Sequence, residues 1–225
     1  MAEIQETIAQ ETGSLRQLFA PGMRMALLIG IVLPFFSQIC GINVIIYYGE
    51  TVFKTAGYGE HAALVCQVIF GVVNMFFTFV AILCVDRLGR KPLLLVGISG
   101  VGLMLGLAGW LFLAAAGHPG WLLLTFACYL ACFSFSYGPV CWIIIAEIFP
   151  TSIRGRAMSI STFSLWAGCN LGVLTFPLLK TALAPAATFW IYALTTPLAV
   201  VFVWLAVPET KGKTLEQIER HWGHS

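Results

Sequence analysis

Six long apolar runs constrain this chain more than any other feature of its sequence. They lie at about residues 24–52, 61–85, 92–116, 121–149, 157–180 and 186–207, and each reaches the roughly 20 residues that a helix needs to cross about 30 Å of hydrocarbon. The 225 residues are 59% hydrophobic and 10% charged, whereas a soluble domain carries about 25% charged residues. Six buried helices in a soluble protein would need a larger polar shell than this. The sequence therefore predicts an all-α membrane protein with six transmembrane helices.

The polar ends of the chain frame this predicted bundle. Residues 1–22 are predicted to form a cytoplasmic lead segment, residues 23–207 the six-helix bundle, and residues 208–225 a cytoplasmic tail. The first 22 residues carry Glu3, Glu6 and Glu11 and lack an apolar core, which is the wrong pattern for a secretory signal peptide.

The distribution of Lys and Arg predicts the orientation in the membrane. An even number of crossings puts both termini on one side, and ten of the twelve Lys and Arg residues fall there, with only Lys54 and Lys180 on the other side. The positive-inside rule then makes both termini cytoplasmic in a multi-pass protein of the cell membrane. Because topology accounts for these charges and the net charge is only +2, no nucleic-acid partner is expected.

Two of the predicted spans are interrupted. The first contains Pro34 and Gly41 near its middle, and the fourth contains Gly138-Pro139. Proline removes one backbone hydrogen bond and glycine relaxes the helix, so peptide groups are left free at membrane depth. Such breaks mark substrate sites in many transporters, although a simple kink is the alternative. The polar and aromatic neighbours of both breaks favour a site.

Neutral polar and aromatic side chains recur at membrane depth beside these breaks. Amides offer paired donors and acceptors that suit vicinal hydroxyls, and an indole offers a flat apolar face with one N–H donor. Together they indicate a cavity for an uncharged, polyhydroxylated ligand; hydrogen bonding between helices is the alternative. The candidate residues are Gln38, Asn43, Tyr47, Asn74, Trp142 and Trp166.

Charged residues cluster at the cytoplasmic ends of the spans. They are either solvated loop charges or a ring of ion pairs that fastens one conformation and breaks when the protein rearranges. The candidates for such a network are Asp86, Arg87, Arg90, Glu147, Arg154 and Glu209.

The sequence gives no sign of an enzyme, a cofactor or a metal site. No nucleophile–base pair or pair of catalytic carboxylates is evident. Cys128 and Cys132 have the only metal-like spacing, but no His or carboxylate lies near them, so they are interpreted as packing residues. The glycines of the third span are likewise interpreted as packing positions, not as a phosphate-binding loop. The span centres hold only neutral polar groups, so no buried proton carrier is predicted in this chain.

Five stretches carry a resemblance to a known family: Gln38–Asn43 with Tyr47-Tyr48, Asp86–Pro92, Gly138–Trp142, Glu147–Pro150 running into Ile153–Gly155, and Pro208–Gly212. In this order and spacing they resemble the sugar porter family of the major facilitator superfamily, and especially bacterial sugar–proton symporters of the xylose type. The resemblance covers about residues 14–222, which correspond to the second half of the family's twelve-span pattern.

The resemblance implies a specific function for this half. The chain would be the C-terminal bundle of a monosaccharide transporter that works by alternating access, with a missing N-terminal six-span half as partner. Gln38, Asn43, Asn74 and Trp142 would contact the sugar, with Tyr47 and Trp166 close by. The sequence departs from the family's usual polar residues at Ser37, Leu165 and Cys169. These departures leave open which sugar, or cyclitol, is bound, and the choice between proton symport and uniport also stays open. The alternative is a non-transporting membrane sensor or assembly partner derived from the family.

Overall fold

The computed structural model describes residues 15–55, 57, 59–114 and 119–213. Most of the predicted lead segment and tail, residues 1–14 and 214–225, lies outside this part of the chain. A short helix, α1 (Leu15–Leu18), and a 3-10 turn (Pro21–Met23) precede the bundle. The bundle is formed by α2 (Arg24–Ile39), α3 (Ile42–Thr55), α4 (Glu60–Leu88), α5 (Arg90–Leu113), α6 (Pro119–Phe135), α7 (Tyr137–Ile148), α8 (Thr151–Ala182) and α9 (Pro185–Ala206).

These helices make six segments that are long and apolar enough to cross a membrane: Arg24–Lys54, Glu60–Leu88, Arg90–Leu113, Gly120–Ile148, Thr151–Ala182 and Pro185–Ala206. The prediction of an all-α chain with six transmembrane helices is confirmed, and the chain is a multi-pass membrane protein. The fifth segment begins earlier than the apolar run suggested, because the polar residues before residue 157 continue the helix α8 from Thr151.

Proline positions explain where several of these helices begin. Pro119 and Pro185 are the first residues of α6 and α9, and Pro92 and Pro139 are the third residues of α5 and α7. The first four N–H groups of a helix have no partner within it, so the absent N–H of proline costs nothing there.

The two predicted interruptions are present: the first lies at Gly41, as expected, and the second begins slightly before the predicted Gly138-Pro139. The first span breaks at Gly41, whose φ of 89° ends α2, while Pro34 lies inside α2 without breaking it. The prediction of Pro34 as part of the break is therefore wrong. The fourth span breaks at Ser136, two residues before Gly138. In a continuous helix the ring of Pro139 would clash with the carbonyl group of Phe135, four residues earlier, so the preceding helix ends there.

Most of the glycines of α5 let neighbouring helices approach closely, as the sequence predicted, and Gly106, with open space beside it, is an exception. A Cβ atom on Gly97 would collide with Ser136, and one on Gly102 would collide with Thr196. The two contacts join α5 to the break in the fourth span and to α9. Small residues thus position the break by direct backbone approach.

The bundle leaves large apolar faces uncovered. Only 17% of the most apolar part of α4 is buried within the chain, against 56% for the first span. In water such a surface would be unstable, so it must contact lipid or another protein. The first span, which carries the first break, has the largest buried share of the six.

Candidate functional site

Two predicted ligand-binding amides meet at the break in the first span. The break turns the chain between Gln38, near the end of α2, and Asn43, near the start of α3. The Nδ2 group of Asn43 donates to Oε1 of Gln38 over 2.9 Å, and Nε2 of Gln38 donates to Oγ of Ser37 over 3.2 Å. Asn43 is 6% exposed, whereas Gln38 is half-buried. The pair therefore presents one partly open face of neutral donors and acceptors.

The amide pair is held against α8 by close backbone packing. A Cβ atom on Gly168 would lie 3.0 Å from the carbonyl oxygen of Phe35 and 3.1 Å from Cβ of Gln38. Ser164, one turn earlier, donates to the carbonyl oxygen of Ile31 over 2.7 Å. Helix α2 is thus fixed along its length against the fifth span, and the position of Gln38 follows from that contact.

A second polar contact joins the second and fourth spans. The hydroxyl of Ser134, two residues before the break at Ser136, donates to Oδ1 of Asn74 in α4. Asn74 is otherwise exposed, and Thr78 donates to its backbone carbonyl over 2.8 Å. The side-chain amide group of Asn74 is therefore oriented from the neighbouring span while its remaining donors face the open side of the helix.

The predicted aromatic residues occupy different environments. Trp142 lies on α7, one turn after Gly138, and is half-buried against the apolar core. Tyr47 and Trp166 are 60% and 55% exposed. Within the described residues, no hydrogen bond joins these three aromatic side chains to the Gln38–Asn43 pair. The structure thus brings Gln38 and Asn43 together directly, and it places Asn74 in a separate contact with Ser134.

Part of the predicted charged network forms around one arginine. Nη2 of Arg90 lies 2.7 Å from Oε1 of Glu147 and 3.0 Å from Oδ1 of Asp86. The side chains of Arg90 and Glu147 are 12% and 28% exposed, but that of Asp86 is 79% exposed. The second carboxylate oxygen of Glu147 accepts from the hydroxyl of Thr210. The Arg90–Glu147 pair therefore ties the third span to the fourth span and to the segment after α9.

Glu209 contributes to this end of the bundle as a helix cap. Its two carboxylate oxygens accept from the backbone N–H groups of Arg90 and Lys91 over 3.0 and 3.1 Å. These N–H groups belong to the first turn of α5, where they have no helical partner and where the helix dipole favours a negative charge. Gly89, at φ 92°, leaves room for the carboxylate, because a Cβ atom there would lie 2.7 Å from Oε2 of Glu209.

The other two predicted members make different contacts. Arg154 donates from Nε to the carbonyl oxygen of Phe149 over 3.3 Å and from Nη2 to the hydroxyl of Thr151 over 3.4 Å. Arg87 is exposed, and its carbonyl oxygen accepts from Nζ of Lys211 over 2.6 Å. Within the described part of the chain, neither guanidinium group forms an ion pair.

Sequence reasoning missed the hydroxyl groups that support the first break. The hydroxyl of Tyr129 donates to the carbonyl oxygen of Cys40 over 3.1 Å, and that of Tyr48 donates to the carbonyl oxygen of Val173 over 3.3 Å. The available signal was Pro177, since a proline frees the carbonyl four residues before it, here Val173. No comparable local signal marks Tyr129.

Comparisons with known proteins show the family to which the sequence is similar. The sequence profile of the family described as "Sugar (and other) transporter" matches residues 1–222. The arabinose-proton symporter of Bacillus subtilis (strain 168) is 41% identical over 214 residues, which are 95% of this chain and 46% of the relative. The D-xylose-proton symporter of Escherichia coli (strain K12) is 40% identical over 220 residues, which are 95% of this chain and 44% of the relative.

The fold also matches a solved structure. The MFS (major facilitator superfamily) proton:xylose symporter XylE, bound to 6-bromo-6-deoxy-D-glucose, aligns with a TM-score of 0.81 and 36% identity, covering 98% of this chain and 48% of that protein. The chain thus spans a little under half the length of these relatives.

Proposed function

Because this chain belongs to the Sugar (and other) transporter family and its bundle has the fold of half of a major facilitator protein, we propose that it serves in transmembrane transport of a monosaccharide. It acts as the C-terminal six-span half and supplies much of the sugar site, while an N-terminal six-span half completes the cavity. Alternating access requires two bundles that rock about a shared central site. The chain is not an enzyme, and it needs no cofactor.

One observation supports this proposal most directly: the neutral Gln38–Asn43 amide pair at the Gly41 break. The two amides are joined over 2.9 Å, and their remaining donors and acceptors lie beside the break in the most buried of the six spans. An amide both donates and accepts, so it can pair with adjacent hydroxyl groups of a sugar without adding charge to the membrane interior. A charged substrate would require an ionisable partner at this depth.

The other site residues take complementary roles in this proposal. Asn74, oriented by Ser134, supplies a further amide to the sugar, and Trp142 supplies an apolar ring face. Tyr47 and Trp166, both exposed in the isolated bundle, line the side of the cavity that the other half closes. Two relatives are named for arabinose and D-xylose, which supports a monosaccharide as the substrate class.

The ion pairs of Arg90 with Asp86 and Glu147, at the ends of the spans, favour one conformation of the transporter. We infer that this end is cytoplasmic, as are both termini, and that the Arg90–Glu147 pair stabilises an outward-open state. Arg87 and Arg154, which lack carboxylate partners in the described bundle, pair with the other half in that state. Replacing Glu147 by glutamine should shift the population towards inward-open. Unchanged distances between spin labels on the cytoplasmic loops would contradict this role.

The experiment that tests the function is reconstitution of two halves. The chain is co-expressed with the N-terminal half of the Escherichia coli D-xylose-proton symporter, and uptake of labelled monosaccharides, including D-xylose and arabinose, is measured in liposomes. We expect uptake with both halves and none with either alone. Asn43→Ala should abolish most of the uptake without changing the yield of the assembled halves.

Two outcomes would refute the proposal. One is sugar uptake by the chain alone. The other is no binding or uptake of any tested monosaccharide when both halves assemble, in an assay where the two native halves of the Escherichia coli protein support uptake.

In a symporter the proton carrier belongs to the N-terminal half, because the ionisable groups Glu50, Asp86, Glu147 and Lys180 of this chain lie at span ends.

A further inference from the structure

We propose that Tyr129 is a positioning residue for the sugar site: its hydroxyl group holds the broken backbone at Cys40 and thereby fixes Gln38 and Asn43 relative to each other. This inference rests on the proposed sugar-binding function of the two amides. Tyr129 does not reach the substrate in this scheme. It acts through the backbone that separates the two amides.

The amide pair exists only because the helix is broken. Residues five apart on a continuous α-helix point about 140° away from each other, since each residue turns the chain by about 100°. Gln38 and Asn43 would then face different neighbours and could not bond. In the structure the turn at Gly41 brings Asn43 back so that its Nδ2 group lies 2.9 Å from Oε1 of Gln38. The geometry of the turn therefore sets the geometry of the pair.

The same turn leaves a carbonyl group without its helical partner. The oxygen of Cys40 would accept from the N–H of Val44 in an unbroken helix, but that N–H instead bonds the carbonyl of Gly41 over 3.1 Å. Tyr129 donates to the free oxygen over 3.1 Å. Cys40 and Tyr129 are 1% and 0% exposed, so water does not offer an easy replacement. A buried carbonyl without a partner is costly, and this hydrogen bond is what makes the turn stable in place.

Tyr129 belongs to the helix that also orients the third amide. Its ring packs nearly parallel to that of Phe133, with an interplanar angle of 13°, and Ser134 on the same helix donates to Asn74. Helix α6 thus holds the backbone of the Gln38–Asn43 pair and the side chain of Asn74. One helix thus bonds to the side chain of Asn74 and to the backbone that separates the other two amides, which fixes the three amides relative to one another.

The test uses Tyr129→Phe, which removes the hydroxyl group and keeps the ring. Tyr137→Phe is the matched control, since Tyr137 lies in the same span, is 2% exposed, and makes no hydroxyl hydrogen bond to the described residues. In the two-half assembly, we expect Tyr129→Phe to raise the Kd for the transported sugar, D-xylose or arabinose, about tenfold, or about 1.4 kcal/mol. Tyr137→Phe should change this Kd less than about twofold.

A double-mutant cycle separates positioning from general destabilisation. In an Asn43→Ala background the amide pair no longer exists, so Tyr129→Phe should have almost no further effect on the Kd. A purely structural contribution of Tyr129 would persist in that background. Equal effects of Tyr129→Phe with and without Asn43 would overturn the inference.

Hydrogen exchange gives a readout that does not require sugar binding. In the detergent-solubilised chain, Tyr129→Phe should increase exchange of the backbone amides of residues 40–45 more than Tyr137→Phe does, because the turn loses its anchor. If the two-half assembly binds no sugar, the proposed function fails while this measurement still decides on Tyr129. Equal exchange in the two variants refutes the inference in either case.

Discussion

Glu147→Gln should destabilise the bundle more than Asp86→Asn, although each substitution removes one negative charge beside the same arginine. The difference lies in burial. Glu147 meets Arg90 at 2.7 Å with side chains that are 28% and 12% exposed, and its second oxygen accepts from Thr210. Asp86 meets Arg90 at 3.0 Å but is 79% exposed, so water screens that pair.

The structure sets the expected magnitudes. Glutamine can still accept from Arg90, so Glu147→Gln loses the difference between a charged and a neutral hydrogen bond, about 1–2 kcal/mol. A solvent-exposed pair such as Asp86–Arg90 contributes about 0–1 kcal/mol. A change of 1 kcal/mol shifts the Tm of a chain of this length by about 2–4 °C. We therefore expect a fall of about 2–8 °C for Glu147→Gln and of about 0–4 °C for Asp86→Asn.

Thermal unfolding of the detergent-solubilised chain, followed by the fluorescence of its seven tryptophans, measures these shifts. Added salt should weaken the Asp86 contribution more than the Glu147 contribution, because exposed charges are screened and partly buried ones are not. In an Arg90→Gln background the two substitutions should have similar small effects. Equal shifts for both substitutions when Arg90 is present would refute the argument from burial.

Three further substitutions test the site and the packing. In the two-half assembly, Trp142→Ala should weaken sugar binding by at least about 1 kcal/mol, measured by calorimetry, because a half-buried ring face is lost; unchanged affinity would remove Trp142 from the site. Gly41→Ala should lower the Tm by forcing a side chain into φ 89°, at about 1–2 kcal/mol, whereas Gly71→Ala, with open space around it, should not. Gly97→Ala should disrupt packing against the fourth span and lower the yield of folded protein, whereas Gly106→Ala should be tolerated; the reverse order would contradict the packing described here.

The number of spans could be predicted from sequence because it depends on length and hydropathy alone. Each run was long enough to cross the membrane, and no competing fold buries six such runs in a chain of this size. The exact position of the breaks could not be predicted so well. Pro34 costs its helix only one hydrogen bond, and α8 packs along that helix through Ser164 and Gly168, so the helix continues. Gly41 breaks it because its φ of 89° cannot belong to a helix.

The charged residues at the span ends could be predicted as candidates, but only part of the predicted network forms, since Arg87 and Arg154 make no ion pair within the described residues. Alternating charges at the span ends indicated that some ion pairs form, and Arg90 with Asp86 and Glu147 does so. Which oxygen accepts from which donor depends on the path of the segment after α9, and that path places Glu209 on backbone N–H groups. A carboxylate that caps a helix and one that pairs with an arginine look the same in a sequence.

The hydroxyl donors were the least predictable part, because each donates to a backbone carbonyl that has lost its helical partner elsewhere in the chain. Tyr129 donates to the carbonyl that is freed by the break at Gly41, 88 residues earlier in the sequence. Tyr48 donates to the carbonyl of Val173, which Pro177 frees. In the membrane interior a freed carbonyl needs a protein donor, since lipid offers none. The two freed carbonyls at Cys40 and Val173 therefore each bind a neighbouring helix through a hydroxyl group. Bending of the first span at Gly41 would move or break the hydrogen bond from Tyr129 to Cys40, so we expect a change at the amide pair to affect α6 and, beyond the second break, the part of the fourth span that carries Trp142.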